Sequence, residues 1–407
     1  MPTSRTSSLL KSELEIHRKS NAFRFEYPYE PQSGARVVVK GKSVLTMAAH
    51  DYLGLSRHPA VVAAMNKAIE KFQITASASR FSGGTLPVHH RLEERISGLL
   101  ETSDTVLFPT YRDARRSVLS TFVNHAFEKK TIVDHFIFAD EYAMFETQEM
   151  LDSAEANFAV HHYSHLDYKE LEASLRRDAK APRAMRFIFS KGYYPETGEI
   201  DQLSRLVSLA KKYDATLILD DMRSMGVFGE HGRGLTDYLK IRGNVDLILG
   251  SLDKAIGAIG GGYISGKYEL TEFLRQFSLP YIAAPNLSPL AAHGAYAALT
   301  VLGKNPALVK KVLSSARYFR TQLQAMGYQI LYGEHPSIFI SVGSITLAKK
   351  FFSTLLSAGV YAGTAWYPLT EPDAAYINAN VSALHSRSDL DFALEAFEAT
   401  GKKLNLL

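Results

Sequence analysis

The sequence predicts an α/β fold built on a buried, mostly parallel sheet. Two apolar runs, residues 216–220 (TLILD) and 245–251 (VDLILGS), are rich in Leu and Ile and do not alternate with polar residues. Strands that helices cover on both faces have this pattern. Runs of this kind also alternate along the chain with segments of helical spacing, which is typical of α/β proteins.

Composition narrows the class of protein. With 407 residues, of which 46% are hydrophobic and 22% charged, the chain can bury a large core and divide into a large and a small domain. The net charge of +4 and the lack of a dense basic cluster argue against nucleic-acid binding. There is no cysteine, which excludes disulfides and thiolate metal sites.

The N-terminal segment predicts an amphipathic helix. It carries Glu13 and Glu15 and lacks the apolar core of a signal peptide. No apolar run reaches the roughly 18 residues of a membrane-spanning helix. We therefore expect a cytoplasmic protein without a transmembrane segment.

The next elements follow from local signals. Residues 36–45 (RVVVKGKSVL) predict a hairpin around Gly41, and residues 56–72 predict a helix. The segment 75–85 is rich in Ser, Gly and Ala, so its backbone can approach a ligand closely. His89 and His90 precede LEERISGLLE, and we interpret them as helix-start residues rather than metal ligands, because no third ligand has a useful spacing. We expect no metal site.

Asp220 and Lys254 are the candidate reactive residues, because each lies at the end of a predicted buried strand. Open α/β sheets bind ligands at strand ends. A desolvated lysine beside other positive charge becomes a nucleophilic amine, and pyridoxal phosphate uses a lysine together with an acid that contacts its ring nitrogen. From spacing alone, a strand-capping Asp and a solvated Lys explain the same pattern equally well.

Longer motifs resemble one family. The segments LDDMRSMGVFGEHGRG and GSLDKAIGAIGGGY resemble vDEAHSxGvxGxxGrG and GTxSKAfGxxGGY of the α-oxoamine synthases, which are fold-type-I pyridoxal phosphate enzymes. HDYLGL resembles the family's NDYLGL, and SRFSGGTLPVHHRLE resembles its SRxxxGTxxxHxxLE. The likeness runs from about His50 to Leu394. It implies a type-I aminotransferase fold with a seven-stranded, mostly parallel sheet in a large domain and a smaller C-terminal α/β domain.

The resemblance also implies the roles of individual residues. Lys254 holds pyridoxal phosphate as an imine and moves a proton at the substrate α carbon, and Asp220 pairs with the ring nitrogen. The cofactor phosphate contacts the turn at Thr110, Tyr111 and Arg112 through backbone N–H groups or hydroxyls, with Tyr111 at a family Gly. Arg112 either supplies charge there or is solvated.

Other family positions hold altered residues. Ser251 takes the place of a phosphate-binding Thr or Ser. Met144 and Arg223 replace histidines that stack on the ring and contact its hydroxyl. Arg80 and Asn378 are the expected substrate residues, with Asn378 at the position of a family Arg that binds the substrate carboxylate.

The implied organisation is an N-terminal arm and hairpin (1–55), a large cofactor-binding domain (56–290) and a small domain (291–407). Two copies are expected to form a homodimer with a shared active site, or the chain pairs with a homologous chain as a heterodimer.

The implied reaction is condensation of a small amino acid with an acyl thioester, either acyl-CoA or acyl carrier protein, with loss of carbon dioxide. Two alternatives stay open. The changes at Met144, Arg223 and Asn378 also suit altered chemistry such as transamination. The loss of histidines also suits a non-catalytic partner subunit of a serine-palmitoyltransferase-like heterodimer, although retention of Lys254 favours an enzyme.

Overall fold

The structure, a computed structural model, describes residues 4–20, 22–72, 78–125, 135–152, 154, 158–181, 184–257, 260–367, 369–370 and 373–407. The chain divides into two compact units. The larger comprises His50–Lys311, and the smaller comprises Met1–Ala49 together with Val312–Leu407. Within the segment 75–85, residues 75–77 lie outside the described residues.

The larger unit contains a seven-stranded sheet. In spatial order its strands, numbered along the chain, are β4 (Asp104–Phe108), β12 (Gly262–Gly266), β11 (Leu247–Ser251), β10 (Thr216–Asp220), β7 (Arg186–Ser190), β5 (His135–Asp140) and β6 (Phe158–Tyr163). Strand β12 is antiparallel to both neighbours, and the other neighbouring pairs are parallel. The expected mostly parallel sheet is confirmed.

Helices alternate with these strands. They are α2 (Pro59–Phe72), α3 (Pro87–Leu100), α4 (Tyr111–His125), α5 (Met144–Leu151), α6 (Tyr168–Asp178), α7 (Leu203–Lys212), α8 (Leu235–Tyr238), α9 (Tyr268–Phe277), α10 (Leu279–Ile282) and α11 (Pro289–Lys304). A two-stranded ribbon joins β8 (Tyr193–Tyr194) and β9 (Glu199–Ile200). None of the helices in the described part of the chain combines the length and apolar character that crossing a bilayer requires.

The two apolar runs form strands because both of their faces are covered. Leu217, Ile218 and Leu219 of β10 have no exposed surface, and every residue of β11 is buried. Ile218 and Leu249 belong to one apolar cluster with Phe187 of β7. Burial of each such side chain contributes about 1.5–3 kcal/mol, so alternation with polar residues would destabilise these strands.

The smaller unit contains a six-stranded sheet. Its spatial order is β1 (Tyr29–Pro31), β2 (Arg36–Val39), β3 (Lys42–Met47), β14 (Val360–Trp366), β15 (Ala375–Asn380) and β13 (Ser337–Ser341). The remaining helices are α1 (Arg5–Lys19), α12 (Ala307–Ala325), α13 (Ile345–Ser357) and α14 (Arg387–Lys403). Phe319, Phe351 and Phe397 form the aromatic centre of the apolar core.

The predicted hairpin is confirmed. Strands β2 and β3 pair antiparallel with Val39 opposite Lys42. Lys40 and Gly41 join them with φ angles of 50° and 75°. Positive φ at both central residues is the geometry of the tight turns whose twist matches paired strands.

The boundaries of the two units differ from the expected domain limits. Strand β3 pairs in parallel with β14, with Leu45 opposite Val360, so the N-terminal hairpin extends the sheet of the C-terminal unit. The change of unit falls at 311/312 rather than 290/291. Helix α11 therefore belongs to the larger unit, where its closest neighbours are α2 and α3.

Candidate active site

Asp220 and Lys254 lie at the same edge of the seven-stranded sheet. Asp220 is the last residue of β10, and Lys254 follows the end of β11 at Ser251. The two strands are adjacent and parallel, with Asp220 opposite Leu249. Because parallel strands end at the same edge, the structure brings the two candidate residues together.

The amine of Lys254 has a pKa below its ordinary value. Burial is the largest cause, and the positive charge of Arg223 adds to it. Asp253 and Asp220 act in the opposite direction without cancelling the effect. With the described residues this amine forms no hydrogen bond or ion pair. A lowered pKa increases the fraction of neutral amine, which is the form that acts as a nucleophile or a base.

The carboxylate of Asp220 is buried and hydrogen-bonded within the chain. It is 5% exposed. One oxygen, Oδ1, accepts a hydrogen bond of 3.1 Å from the backbone N–H of Met222. The other, Oδ2, accepts a hydrogen bond from the hydroxyl of Tyr111. Burial raises the pKa of Asp220, and the Tyr111 hydrogen bond and the charge of Arg115 oppose that rise.

A second carboxylate follows directly. Asp221 has no exposed surface, and its Oδ1 accepts a 3.2 Å hydrogen bond from the N–H of Leu235. Burial raises its pKa to about 8, and the neighbouring charge of Asp220 contributes to the rise. A Cβ at Gly234 would lie 2.0 Å from Oδ2, so glycine at that position makes room for the buried carboxyl. Two consecutive aspartates at the end of a predicted buried strand were the sequence pattern that could have predicted this second carboxylate.

The predicted phosphate turn begins helix α4. The Thr110 hydroxyl accepts a 3.1 Å hydrogen bond from the N–H of Asp113 and donates at 2.7 Å to its carboxylate. A Cβ at Gly262 of β12 would lie 2.4 Å from the Cα of Tyr111 and 2.7 Å from its backbone nitrogen. The turn therefore packs directly against β12, and its backbone has little freedom to move.

Arg112 forms an ion pair rather than projecting as a free cation. Its Nε donates to the carboxylate of Glu149, which also pairs with Arg115 and, at 3.6 Å, with Arg116. The Arg112 side chain is 62% exposed, so part of it is solvated. Its charge is already partly neutralised by Glu149.

Three altered family positions have different surroundings. Ser251 is buried, and its hydroxyl donates to Asp253. Arg223 follows β10, and its charge lowers the pKa of Lys254, which places it at the same edge of the sheet. Met144 begins α5 and is 54% exposed.

The two expected substrate residues lie in different units. Arg80 forms a buried bidentate ion pair with Glu93, with N–O distances of 3.0 and 3.2 Å. Sequence reasoning did not include this pair. Asn378 lies on β15 of the smaller unit, where its Oδ1 accepts a 2.9 Å hydrogen bond from the hydroxyl of Ser337.

His50 is a residue of the same edge that the sequence analysis did not select. Its Nδ1 lies 2.8 Å from the hydroxyl of Tyr52. Burial, followed by the charges of Lys254 and Arg223, lowers the pKa of its imidazole to about 4. The ring is therefore neutral at physiological pH. Its position at the start of HDYLGL was the available signal.

The expected role of His89 at a helix start is confirmed. Its Nδ1 accepts a 3.0 Å hydrogen bond from the N–H of Leu86 at the beginning of α3. Its Nε2 lies 2.8 Å from the carbonyl oxygen of Leu287. Within the described ranges, no cluster of three His, Asp or Glu side chains has the geometry of a metal site.

Comparisons with known proteins identify the family. The chain matches the family described as aminotransferase class I and II over residues 42–397. It is 32% identical over 398 residues to the 8-amino-7-oxononanoate synthase of Thermoanaerobacter pseudethanolicus. It is 30% identical over 400 residues to the 2-amino-3-ketobutyrate coenzyme A ligase of Escherichia coli. Each alignment covers 98% of both chains.

A solved structure shows the same fold. The serine palmitoyltransferase of Sphingomonas wittichii matches with a TM-score of 0.88 and 23% identity, and the match covers 99% of each chain. The expected type-I aminotransferase fold is confirmed. This chain belongs to the aminotransferase class I and II family and, within it, to the α-oxoamine synthases, which are pyridoxal-phosphate-dependent acyltransferases.

Proposed function

We propose that this chain condenses a small amino acid with an acyl thioester. A bond forms between the amino acid α carbon and the thioester carbonyl carbon, the thiol leaves, and the carboxylate of the amino acid departs as carbon dioxide. The product is an amino ketone. The observation that carries the proposal is the position of Lys254 beside Asp220 at one edge of the parallel sheet.

The donor set fits pyridoxal phosphate. Lys254 supplies an amine of lowered pKa, and Asp220 supplies a buried carboxylate for a ring nitrogen. The start of α4 has backbone N–H groups that can bind a phosphate. Because Gly262 has no side chain, that turn can pack directly against β12. When bound, this cofactor supplies an aldehyde that combines with amines and a ring that delocalises negative charge.

The residues of the chain then have distinct roles. Lys254 accepts the proton that leaves the α carbon of the amino acid, and its ammonium form returns a proton to that carbon. The negative charge of Asp220 would hold a proton on the ring nitrogen of the cofactor. Arg223 keeps the Lys254 pKa low and would contact the ring hydroxyl of the cofactor, and Met144 would pack against its ring.

Other residues of the chain contact the phosphate group and the substrates. Ser251 and the backbone of Thr110, Tyr111 and Arg112 bind the phosphate group. Arg80 and Asn378 are the proposed substrate residues. Arg80 already forms an ion pair with Glu93. Its role is therefore to hold the structure of the substrate site together with Glu93, rather than to bind the substrate as an unpaired cation.

A second candidate function is that of a non-catalytic partner subunit. One observation favours it. The hydroxyl of Tyr111 donates a hydrogen bond to Asp220, whose carboxylate is the one that the ring nitrogen of the cofactor requires. In that case the chain assists a homologous catalytic chain. The lowered pKa of Lys254 favours the enzyme.

Covalent trapping tests the enzymatic assignment. Purified protein is saturated with pyridoxal phosphate, reduced with borohydride, digested and analysed by mass spectrometry. We expect a pyridoxyl group on Lys254, its loss in Lys254→Ala and its retention in Lys403→Ala, an exposed lysine of α14. An unmodified Lys254 in a protein that copurifies with a homologous chain would establish the partner-subunit role instead.

Carbon dioxide release tests the reaction. Carboxyl-labelled small amino acids are supplied with acyl-CoA or with acyl carrier protein. Release that requires both an amino acid and one acyl donor supports condensation and identifies the donor. Transfer of the amino group to an oxo acid without carbon dioxide release identifies an aminotransferase.

We further propose that the protein is a homodimer of the cytoplasm. Helix α1 supports the assembly, because Leu9, Leu10, Leu14 and Ile16 are 61%, 59%, 46% and 56% exposed. Apolar side chains on one helix favour burial against another chain. Light scattering on the purified protein is expected to give twice the mass of the chain, and Leu10→Lys is expected to weaken the dimer. A monomer at micromolar concentration would contradict the proposal.

A further inference from the structure

The hydroxyl of Tyr111 donates a hydrogen bond to the carboxylate of Asp220. The proposed cofactor needs the same carboxylate for its ring nitrogen. We infer that the Tyr111 hydroxyl competes with the ring nitrogen of pyridoxal phosphate for Asp220, so that cofactor loading requires this phenol to leave the carboxylate. The inference rests on the proposed cofactor site and adds a residue that controls access to it.

The competition follows from the donors around Asp220. Its two oxygens already accept hydrogen bonds from this chain, one from Met222 N–H and one from the Tyr111 hydroxyl. A protonated ring nitrogen is also a single donor, and it would make the same kind of contact as the phenol. The Met222 contact belongs to the backbone of the turn after β10, so the Tyr111 contact is the one that a side-chain rotation can release.

A movement of the Tyr111 backbone cannot release the phenol from Asp220. Tyr111 is the first residue of α4, and its main chain packs closely against Gly262. A Cβ added at Gly262 would lie 2.4 Å from the Cα of Tyr111. The phenol must therefore leave by rotation of the side chain. The guanidinium of Arg115 lies 5.4 Å from the centre of the Tyr111 ring, so the rotation also breaks a cation–π contact.

The hydroxyl of Tyr111 is a hydrogen-bond donor at neutral pH. Burial and the charge of Asp220 raise the pKa of Tyr111 well above its ordinary value. The phenol therefore keeps its proton and keeps its hydrogen bond to Asp220. Competition with the cofactor does not depend on ionisation of the tyrosine.

Cofactor affinity tests the inference without a measurement of activity. Protein freed of cofactor is titrated with pyridoxal phosphate by equilibrium dialysis, and the dissociation constants of the variants are compared. Tyr111→Phe removes the hydroxyl and keeps the ring, and Tyr111→Ala removes both. We expect affinity to increase about tenfold in Tyr111→Phe, the size of one hydrogen bond to a charged group, and at least as much in Tyr111→Ala.

A matched control lies in the same unit. The hydroxyl of Tyr168 donates at 2.6 Å to Asp201, another buried carboxylate, so Tyr168→Phe removes a similar bond elsewhere. Its affinity for pyridoxal phosphate is expected to equal that of the natural chain. A second measurement compares thermal midpoints with and without cofactor. The rise on addition of cofactor should be larger in Tyr111→Phe than in Tyr168→Phe.

The outcomes separate this inference from the proposed function. Equal affinities in the natural chain and both Tyr111 variants overturn the competition and leave the proposed function standing. Weaker binding in Tyr111→Phe also overturns it, because the hydroxyl then assists the cofactor. Tighter binding without carbon dioxide release supports the competition and contradicts the proposed reaction. Absence of binding in every variant contradicts both.

Discussion

Arg80 and Glu93 form a bidentate ion pair inside the larger unit, at N–O distances of 3.0 and 3.2 Å. The two side chains are 4% and 5% exposed. Arg80 also donates at 3.1 Å to the hydroxyl of Thr85. The pair therefore joins the turn before α3 to the body of that helix.

Removal of one partner is expected to destabilise the protein strongly. Arg80→Ala leaves the Glu93 carboxylate buried without its main counter-charge, which costs about 3–5 kcal/mol. Urea unfolding of cofactor-free protein measures the loss. The matched control is Arg387→Ala, which breaks an exposed pair with Asp391 and should change stability little. The double variant Arg80→Met with Glu93→Leu should recover most of the stability, and failure to recover it would contradict the assignment.

Local patterns predicted the sheet and the two strand-end residues. The runs 216–220 and 245–251 were recognisable because strands buried on both faces need apolar residues throughout. The parallel order of a sheet then places Asp220 and Lys254 at one edge. Sequence spacing could not show the pairing of β3 with β14, because that pairing joins residues more than three hundred positions apart.

Side-chain partners were the other part that sequence could not supply. The Tyr111 hydroxyl donates to Asp220, which lies 109 positions further along the chain. Nothing in the identity of either residue predicts that the two are in contact. For Lys254, the neighbouring Asp253 favours the charged amine, whereas burial and the charge of Arg223 favour the neutral one. The structure shows that burial is the largest cause and that the pKa is lowered. Burial depends on packing from the whole unit, so local composition does not determine it.

The charges around Lys254 predict opposite shifts in two variants. Arg223→Gln removes a positive charge that lowers the Lys254 pKa, and Asp253→Asn removes a negative charge that raises it. The pH at which the amine becomes reactive should therefore move upward in Arg223→Gln and downward in Asp253→Asn. The rate of borohydride-trapped attachment of pyridoxal phosphate is measured against pH. Shifts in the same direction in both variants would contradict the assigned electrostatics.

Asp221 predicts a dependence of stability on pH. Its pKa in the folded chain is about 8, against an ordinary value of 3.8. Between these values the folded state binds a proton that the unfolded state releases, so this group's contribution to stability falls as pH rises. Below about pH 4 its contribution is complete, and above about pH 8 it is lost.

The variant Asp221→Asn lacks this proton equilibrium. The stability of the natural chain relative to Asp221→Asn should therefore fall between pH 5 and pH 8, as measured by urea unfolding at each pH. Asp373→Asn, at an exposed carboxylate, serves as the control for general effects of pH. A constant difference between the natural chain and Asp221→Asn across this range would show that Asp221 is ionised in the folded protein.

Gly262 of β12 packs against the start of α4. In Gly262→Ala the new methyl group would lie 2.4 Å from the Cα of Tyr111 and 2.7 Å from the carbonyl oxygen of Thr110. Both neighbours are backbone atoms that cannot rotate away, so the turn must shift, at a cost of about 1–3 kcal/mol. The shift also moves the N–H groups proposed to bind phosphate.

Gly262→Ala should therefore lose both stability and affinity for pyridoxal phosphate. Gly98→Ala is the matched control, because no described atom outside the helix backbone around Gly98 in α3 lies within 4 Å of an added Cβ. Alanine there should stabilise the helix by about 0.5–1 kcal/mol and leave cofactor affinity unchanged. Urea unfolding and equilibrium dialysis measure the two effects separately. If Gly262→Ala loses stability but binds the cofactor as tightly as Gly98→Ala, the phosphate does not depend on the position of this turn.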